Sequence, residues 1–369
     1  MVLPQLARDL AGGARVVAVG EGAHNVTEFY ELRLELLRTL VEEYGFTAFV
    51  MESGFPEGLA VDAWVRGGPG EVETVAREGI TYRFGECEPM WRHLSWMRQA
   101  QVGFYGMDLP GSSTSPGPAV RAILARMPGD EELLRLSDLG GRTEAAVRFA
   151  ALPPGERAGL LDALRELAGR AAAHPDGIVR RCAASLDAFV AEAEFDPEAA
   201  GPYPRERFMA ETVRWILERE ERVVVSAHNS HVRRTPFLGR PTLGGLLAET
   251  LGDELAVVGM TYGSGPEVRF TQRSPRPFDC DVSLGARTPR PDSIEARLDR
   301  LGAPVSAVDL RTAPAELFDG VAGTLASGGL DPVDDFPAAF DALVHVREAT
   351  RVPGAFERLR AELAGSEPT

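Results

Sequence analysis

The chain of 369 residues has few cysteines, no long apolar run and an excess of acidic over basic residues. Cys87, Cys182 and Cys280 lie far apart without a Cys-x-x-Cys pair, which argues against a disulfide framework and against a zinc-thiolate site. No segment approaches the roughly 20 apolar residues of a membrane-spanning helix. The first ten residues also lack the basic start and apolar run of a signal peptide. We therefore expect a soluble, cytoplasmic protein without a membrane partner.

The charge balance argues against polyanionic partners. The 39 Lys and Arg residues are outnumbered by 55 Asp and Glu residues, which gives a formal net charge of −16 at pH 7. Nucleic acids and anionic membranes bind positively charged patches, so no nucleic-acid partner is expected. The apolar fraction of 44% is ordinary for a globular protein and is sufficient for a sizeable core.

Four apolar, strand-like segments each run into a chemically active residue. They are 15–24 with Glu21 and His24, 47–53 with Glu52, 103–109 with Asp108, and 222–231 with His228 and His231. Ligands of open α/β folds bind beyond the carboxyl ends of the strands, where such residues converge. Strands and helices alternate over the first hundred residues, which predicts an α/β fold with a mostly parallel central sheet flanked by helices.

The middle of the chain has a different texture. Residues 110–118 are rich in Pro, Gly and Ser, which is typical of a linker, and only helical patterns follow until the alternation resumes at Arg205. We expect an α/β catalytic domain formed by residues 1–110 and 203–363. Residues 111–202 are expected to form an all-helical insertion that acts as a lid or cap over the cleft.

An amphipathic helix is predicted over residues 26–43, directly after His24. Asn25 followed by Glu28 resembles a capping box, which places His24 just outside the helix. Arg33 lies about two turns into it, between apolar neighbours. Two interpretations of Arg33 stay open: a contact at the helix edge, or a buried guanidinium that balances carboxylates or stabilises an oxyanion.

The residue types at the strand ends suit acid–base chemistry. Glycines flank Glu21, which allows a tight turn and leaves room for a ligand, and a nearby carboxylate can orient the imidazole of His24 and raise its basicity. Glu52 closes an apolar strand, although a solvated strand end is an equally good explanation. Asp108 precedes Leu-Pro-Gly and is explained nearly as well by a turn.

The downstream histidines allow more than one interpretation. His228 and His231 are three residues apart, which suits metal ligation or a pair of catalytic imidazoles, although His-x-x-His alone is a weak signal. No Gly-x-Ser-x-Gly elbow is present and no cysteine lies at a clear strand-to-helix junction. Attack by activated water is therefore favoured over an acyl-enzyme.

Several short motifs together resemble the erythromycin esterase family. They are Gly20-Glu-Gly-Ala-His24 with Glu28 and Arg33, Met51-Glu52-Ser, Gly106-Met-Asp108-Leu, Arg205-Glu-Arg-Phe-Met-Ala-Glu211, Ala227-His-Asn-Ser-His231-Val and Phe340-Asp-Ala-Leu343. In this order they cover nearly the whole chain. Each is short, and the specificity comes from the set.

The resemblance implies hydrolysis of a lactone ester of macrolides without a serine nucleophile. It makes His24 the general base, Glu21 and Glu52 the acidic residues, Arg33 the family's arginine, and His228 and His231 the downstream pair. We expect no cofactor, no metal, and a small-molecule ester or lactone, such as a macrolide or polyketide, as substrate; Asp108 is a supporting residue. The alternatives are a metal-dependent hydrolase using the same Glu/His cluster, a natural-product tailoring enzyme performing elimination or acyl transfer, and a non-catalytic binding protein.

Overall fold

The computed structural model describes residues 2–326 and 329–365. Contacts divide the chain into two compact units. The first unit comprises Met1–Val50, Ile216–Thr271 and Asp281–Arg358. The second comprises Met51–Trp215, Gln272–Cys280 and Leu359–Thr369.

The strands of the described residues are β1 (Val16–Glu21), β2 (Ala48–Gly54), β3 (Gly103–Asp108), β4 (Val223–His228), β5 (Leu255–Gln272), β6 (Cys280–Arg287), β7 (Val305–Asp309), β8 (Gly323–Ala326), β9 (Gly329–Pro332) and β10 (Ala342–Glu348). The helices are α1 (Val2–Ala11), α2 (Thr27–Tyr44), α3 (Phe55–Val65), α4 (Val72–Gly79), α5 (Glu88–Ala100), α6 (Gly117–Leu124), α7 (Glu131–Ser137), α8 (Arg142–Ala151), α9 (Pro154–Ala171), α10 (Gly177–Ala193), α11 (Pro204–Leu217), α12 (Asn229–Val232), α13 (Leu243–Leu251), α14 (Ile294–Leu298), α15 (Phe336–Ala339) and α16 (Ala355–Gly365).

A mostly parallel sheet forms the centre of the first unit. Within this unit the strand order is β4-β1-β5-β10-β7, and β6 pairs with β5. Strands β4, β1, β5 and β10 run parallel, whereas β7 is antiparallel to β10. Every residue of β1 is buried, as expected for a parallel strand covered on both faces. The predicted α/β class, with a mostly parallel sheet flanked by helices, is confirmed.

The second unit is mainly helical. Its strand β3 lies next to β2, which belongs to this unit from Met51 onward. Residues 111–202 contain α6 to α10. Apolar side chains of α6, α9 and α10 pack into one buried core with Phe55 and Leu109. The compact unit therefore includes more of the chain than residues 111–202. The division into a catalytic domain and a cap stays a prediction.

The start of α2 differs from the predicted capping box. The helix begins at Thr27, and Val26 occupies the N-cap position without a side-chain hydrogen bond. Asn25 has a φ of 59°, in the left-handed region, whereas an N-cap residue needs extended backbone. The Glu28 carboxylate accepts hydrogen bonds from the backbone and hydroxyl of Thr350 instead. A distant segment thus takes over the role that we assigned to a local cap.

Two further elements differ from what the residue pattern predicts. The pattern predicts a strand over 255–262, whereas β5 continues ten residues further, to Gln272. It also predicts a helix over 292–301, whereas the structure has the shorter α14, followed by one 3-10 turn. Within the described part of the chain, no helix is both long and apolar enough to cross a membrane.

Candidate active site

The pairing of β1 with β4 places two of the predicted site residues side by side. These strands are parallel and in register, with Gly20 opposite Ala227 and Glu21 opposite His228. Because both strands end at this point, Glu21 and His228 lie at the same edge of the sheet. The chain then turns through Gly22 and Ala23 to His24.

Glu21 forms hydrogen bonds through both carboxylate oxygens. Its Oε1 lies 2.7 Å from Nδ1 of His24, and its Oε2 accepts a 2.9 Å hydrogen bond from Nη1 of Arg33. Burial by itself raises the pKa of Glu21, which is only 6% exposed. The hydrogen bond to His24 and the positive charge of Arg33 outweigh burial, so that the net pKa of Glu21 is below its ordinary value. Glu21 is therefore an ionised carboxylate at neutral pH.

Arg33 is a buried residue, not one that reaches solvent at the helix edge. Its side chain is 2% exposed, and its guanidinium carbon lies 4.8 Å from the centre of the Tyr30 ring. The ion pair with Glu21 is thus shielded from water and from salt. Of the roles considered for Arg33, the contacts favour compensation of a buried carboxylate.

His24 and His228 form a pair of imidazoles. Their ring centroids are 5.3 Å apart, and the rings are inclined by 64°. Nδ1 of His228 accepts a 3.2 Å hydrogen bond from the backbone N–H of Ser230 and lies 2.8 Å from the Ser230 hydroxyl. A neutral imidazole that accepts at Nδ1 carries its hydrogen on Nε2. His231 lies in α12 and is half-buried.

Glu52 and Asp108 meet on one arginine in the second unit. Nη2 of Arg205 donates to Glu52 Oε1 at 2.8 Å and to Asp108 Oδ2 at 2.7 Å, while Nε donates to Asp108 Oδ1 at 2.9 Å. Both carboxylates are buried, with Asp108 fully so. Burial by itself lowers the pKa of Arg205. The electrostatic interactions with Asp108, Tyr82 and Glu52 raise this pKa by a larger amount, so the net pKa is above its ordinary value. From the sequence, Arg205 was identified only as part of a motif, and this role was missed. Two apolar strands that each end in a carboxylate indicate that a cationic side chain must pair with them, because buried charges are paired.

Asp108 also contacts the backbone that directly follows it. Its Oδ1 accepts a 2.8 Å hydrogen bond from the backbone N–H of Leu109. The bond by which an aspartate begins a turn goes to the residue two positions on, which here is Pro110 and has no N–H. The Tyr82 hydroxyl lies 3.5 Å from Asp108 Oδ2 and donates to the carbonyl of Ser112 at 3.2 Å. The contacts of Asp108 therefore favour the ion pair with Arg205 over the turn as the explanation of this residue. Tyr82 was not foreseen, because its sequence neighbourhood carries no motif.

Glu57 is a third residue, after Arg205 and Tyr82, whose position was not predicted from the sequence. It lies in the first turn of α3, and its Oε1 accepts a 2.7 Å hydrogen bond from the backbone N–H of Gly111. Its Oε2 is buried and has no hydrogen-bond partner among residues 2–326 and 329–365. Burial raises the pKa of Glu57 to about 7, against the opposing effect of the Gly111 N–H. The pattern Gly-Phe-Pro-Glu gave no indication that this carboxyl would be buried.

The predicted site residues thus form two groups. Glu21, His24, Arg33 and His228 are together in the first unit, whereas Glu52 and Asp108 share Arg205 in the second. Among residues 2–326 and 329–365, no cluster of three or more His, Cys, Asp or Glu side chains is placed to hold a metal ion.

The fold and the first group define an α/β protein whose acid–base residues lie at the end of a mostly parallel sheet. Residues 41–349 match the family model described as Erythromycin esterase. The chain belongs to the erythromycin esterase family. The resemblance inferred from its motifs is confirmed.

Two curated relatives from Escherichia coli extend this similarity. Erythromycin esterase type II is 26% identical over 355 aligned positions, which cover 84% of each chain. Erythromycin esterase type I is 25% identical over 386 aligned positions, which cover 91% of each chain. Together with the family model, these relatives support an ester hydrolase.

Solved structures are similar in fold. An erythromycin esterase mutant in its open conformation superposes with a TM-score of 0.74 at 21% identity, over 94% of each chain. A succinoglycan biosynthesis protein superposes with a TM-score of 0.73 at 17% identity, over 94% of this chain and 91% of the other. At these identities the similarity shows the fold alone.

Proposed function

We propose that this chain is an ester or lactone hydrolase in which His24, as general base, activates water for direct attack on the carbonyl, without an acyl-enzyme. The observation that carries the proposal is the 2.7 Å contact between Glu21 and Nδ1 of His24, supported from the other side by Arg33. A carboxylate that holds one imidazole nitrogen fixes the ring and leaves the second nitrogen for proton transfer.

The state of Glu21 assigns the tautomer of His24. Because Glu21 is ionised, its Oε1 can only accept a hydrogen bond, so that Nδ1 of His24 carries the hydrogen. Nε2 is then the unprotonated nitrogen, which can accept a proton. The His24 side chain is 43% exposed, which leaves the ring accessible to water and to a substrate carbonyl. General-base catalysis of this kind contributes about 10²–10⁴-fold to a rate.

His228 supplies the complementary group. With its Nδ1 accepting from Ser230, its Nε2–H is a donor near the ring of His24. Water oxygen forms a bond to the carbonyl carbon as its proton moves to Nε2 of His24, and the negative charge develops on the carbonyl oxygen. A hydrogen bond from His228 stabilises that oxyanion. When the ester C–O bond breaks, the alkoxide takes the proton from His24.

The remaining candidate residues also have proposed roles. Arg33 holds Glu21 in its charged form, which the ion pair supports. Glu52 as an acidic site residue, Asp108 as a supporting residue and His231 as a partner of His228 remain proposals. Residues 111–202 as a cap, with an apolar wall for a bulky ester, remain a proposal too. Since the curated relatives are named erythromycin esterases, a macrolide lactone is the first substrate to test.

The test is a mass-spectrometric screen of erythromycin, other lactones and simple acyl esters with wild type and His24→Ala. We expect the wild type to convert the substrate into a product heavier by one water. The rate of product formation should fall at least 10²-fold in His24→Ala. His174→Ala, which removes a half-buried histidine of the second unit, is the matched control and retains activity. In H₂¹⁸O, one label enters the acid in the first turnover. Full activity of His24→Ala would refute the assignment.

The same screen separates the alternatives. Loss of water indicates elimination, transfer to an added alcohol indicates acyl transfer, and binding without a mass change indicates a binding protein. Activity that persists after exhaustive chelation supports the proposed mechanism. Activity that chelation abolishes and one added metal restores identifies a metal-dependent hydrolase.

A further inference from the structure

Asn229 connects the two strand ends that carry Glu21 and His228. It follows His228 directly and is 4% exposed. Its Nδ2 donates a 2.9 Å hydrogen bond to the carbonyl of Met260 on β5. The same carbonyl accepts a 2.8 Å hydrogen bond from the backbone N–H of Gly22. One carbonyl oxygen, with two lone pairs, thus holds both the turn after Glu21 and the residue after His228.

The two glycines beside Glu21 make room for this side chain. A Cβ at Gly20 would lie 2.2 Å from Oδ1 of Asn229 and 2.6 Å from Cγ2 of Val232. A Cβ at Gly22 would lie 3.3 Å from Nδ2 of Asn229 and 3.1 Å from the Met260 carbonyl oxygen. The space that we expected the glycines to leave for a ligand is therefore partly filled by Asn229. Their function here is close packing of the turn.

The position of this contact explains why it matters for chemistry. The ladder between β1 and β5 pairs residues up to Val19 with Val258. Beyond it, the Gly22 hydrogen bond is the next link to β5, and Glu21 lies between these two links. A catalytic pair must be held within about 0.5 Å of its productive geometry. The Glu21–His24 distance therefore depends on how firmly Gly22 is held.

We propose that Asn229 is a positioning residue that holds the Gly20–Gly22 turn, and so keeps the Glu21 carboxylate in contact with His24. This inference rests on the proposed function for its catalytic readout. In this proposal Asn229 does not contact the reacting atoms, and it acts on the reaction by holding Glu21.

The first test replaces Asn229 with residues that lack the donor. Asn229→Asp keeps the shape but places an acceptor against the Met260 carbonyl, and Asn229→Ala removes the side chain. We expect kcat to fall by about 10–100-fold, because a shift of 1 Å costs about 10²-fold, with KM changed by less than about threefold. An increase in KM with kcat unchanged would overturn the proposal.

The control for simple destabilisation is Thr242→Val. Thr242 is also buried in the first unit and donates its hydroxyl hydrogen bond to the carbonyl of Arg233, away from the Glu21 turn. This variant loses stability as Asn229→Ala does, and its kcat stays within about twofold of wild type. If Thr242→Val lowers kcat as strongly as Asn229→Ala, the effect is general and the proposal is wrong.

The second test asks whether the effect passes through Glu21. In a Glu21→Gln background, Asn229→Ala should lower kcat by less than about threefold, because the group that it positions is already lost. The losses in kcat from two independent substitutions multiply, whereas the losses from two substitutions that disrupt the same interaction do not. If Asn229→Ala lowers kcat by the full 10–100-fold in both backgrounds, Asn229 does not act through Glu21 and the proposal is wrong.

A third measurement needs no activity. Gly20→Ala should lower Tm in the wild type and lower it less in the Asn229→Ala background, since one of its two clashes is then removed. Equal losses in both backgrounds would contradict the packing argument. If this coupling is found while His24→Ala retains activity, the placement of Asn229 stands and the proposed function fails.

Discussion

Replacing Glu57 with glutamine should stabilise the protein at neutral and alkaline pH. The folded state raises the pKa of Glu57 from 4.5 to about 7, so the fold favours the neutral carboxyl. The stability that this preference contributes is present below pH 4.5 and is lost as the pH rises through 7. Glutamine stays neutral at every pH and keeps an oxygen that can accept from Gly111.

The magnitude follows from the shift in pKa. One pKa unit is worth about 1.4 kcal/mol, so this shift gives at most about 3 kcal/mol in the free energy of unfolding at pH 8. The same relation gives less than about 1 kcal/mol at pH 5. For a cooperative unit of 150–250 residues, each kcal/mol corresponds to about 2–4 °C in Tm. We therefore expect Glu57→Gln to raise Tm by about 6–12 °C at pH 8 and by less than about 4 °C at pH 5.

The assay is thermal unfolding monitored by circular dichroism at both pH values. The control is Glu78→Gln, because the Glu78 side chain is 70% exposed and lacks the burial that Glu57 has. A variant that is less stable than wild type at pH 8 would refute the reasoning. An equal gain at pH 5 and pH 8 would show that packing, and not ionisation, produces the effect.

Other predictions follow from the ion pairs. Arg33→Met leaves the Glu21 carboxylate buried without a cationic partner, so the free energy of unfolding in urea should fall by about 3–5 kcal/mol. The additional change Glu21→Gln should restore part of this loss. The pKa of Glu21 is lower in the folded state, so its ionisation contributes fully to the stability of the fold above pH 4.5, and this contribution is lost as the pH falls further. The difference in the free energy of unfolding between wild type and Glu21→Gln should therefore become smaller on acidification. Arg205→Lys keeps the charge but cannot span Glu52 and Asp108 as a planar fork. It should lower the free energy of unfolding, measured by urea denaturation, by about 2 kcal/mol.

Much of the fold was predictable because its signal is local. Buried parallel strands are apolar runs, and the apolar side chains of α2 recur at helical spacing, so both were found within a few residues. The ends were less predictable. The start of α2 depends on hydrogen bonds with Thr350, which is 322 residues from Glu28 in the chain, and no local pattern records such a partner.

The site shows the same division. The strand-end position of Glu21 and the spacing to His24 predicted a carboxylate–imidazole pair, which the structure contains. Spacing alone left Arg33 undecided, because burial depends on what packs against the helix. Asn229 escaped notice because the sequence pattern drew attention to the histidines on either side of it. Its role depends on a carbonyl of β5 that only the sheet order brings near.

The link between the turn after His24 and residues 350–352 has a consequence for the order in which the protein acquires activity. Thr27 donates its backbone hydrogen bond to Thr350, and Val352 donates to Asn25, so the loop that carries His24 is held by a segment near the end of the chain. Contacts between residues so far apart in sequence form late, because chain entropy opposes them. On the ribosome, Glu21 and His24 emerge long before this support, because Thr350 follows Glu28 by 322 residues. The loop that carries His24 therefore acquires these two hydrogen bonds only after residue 352 has been synthesised.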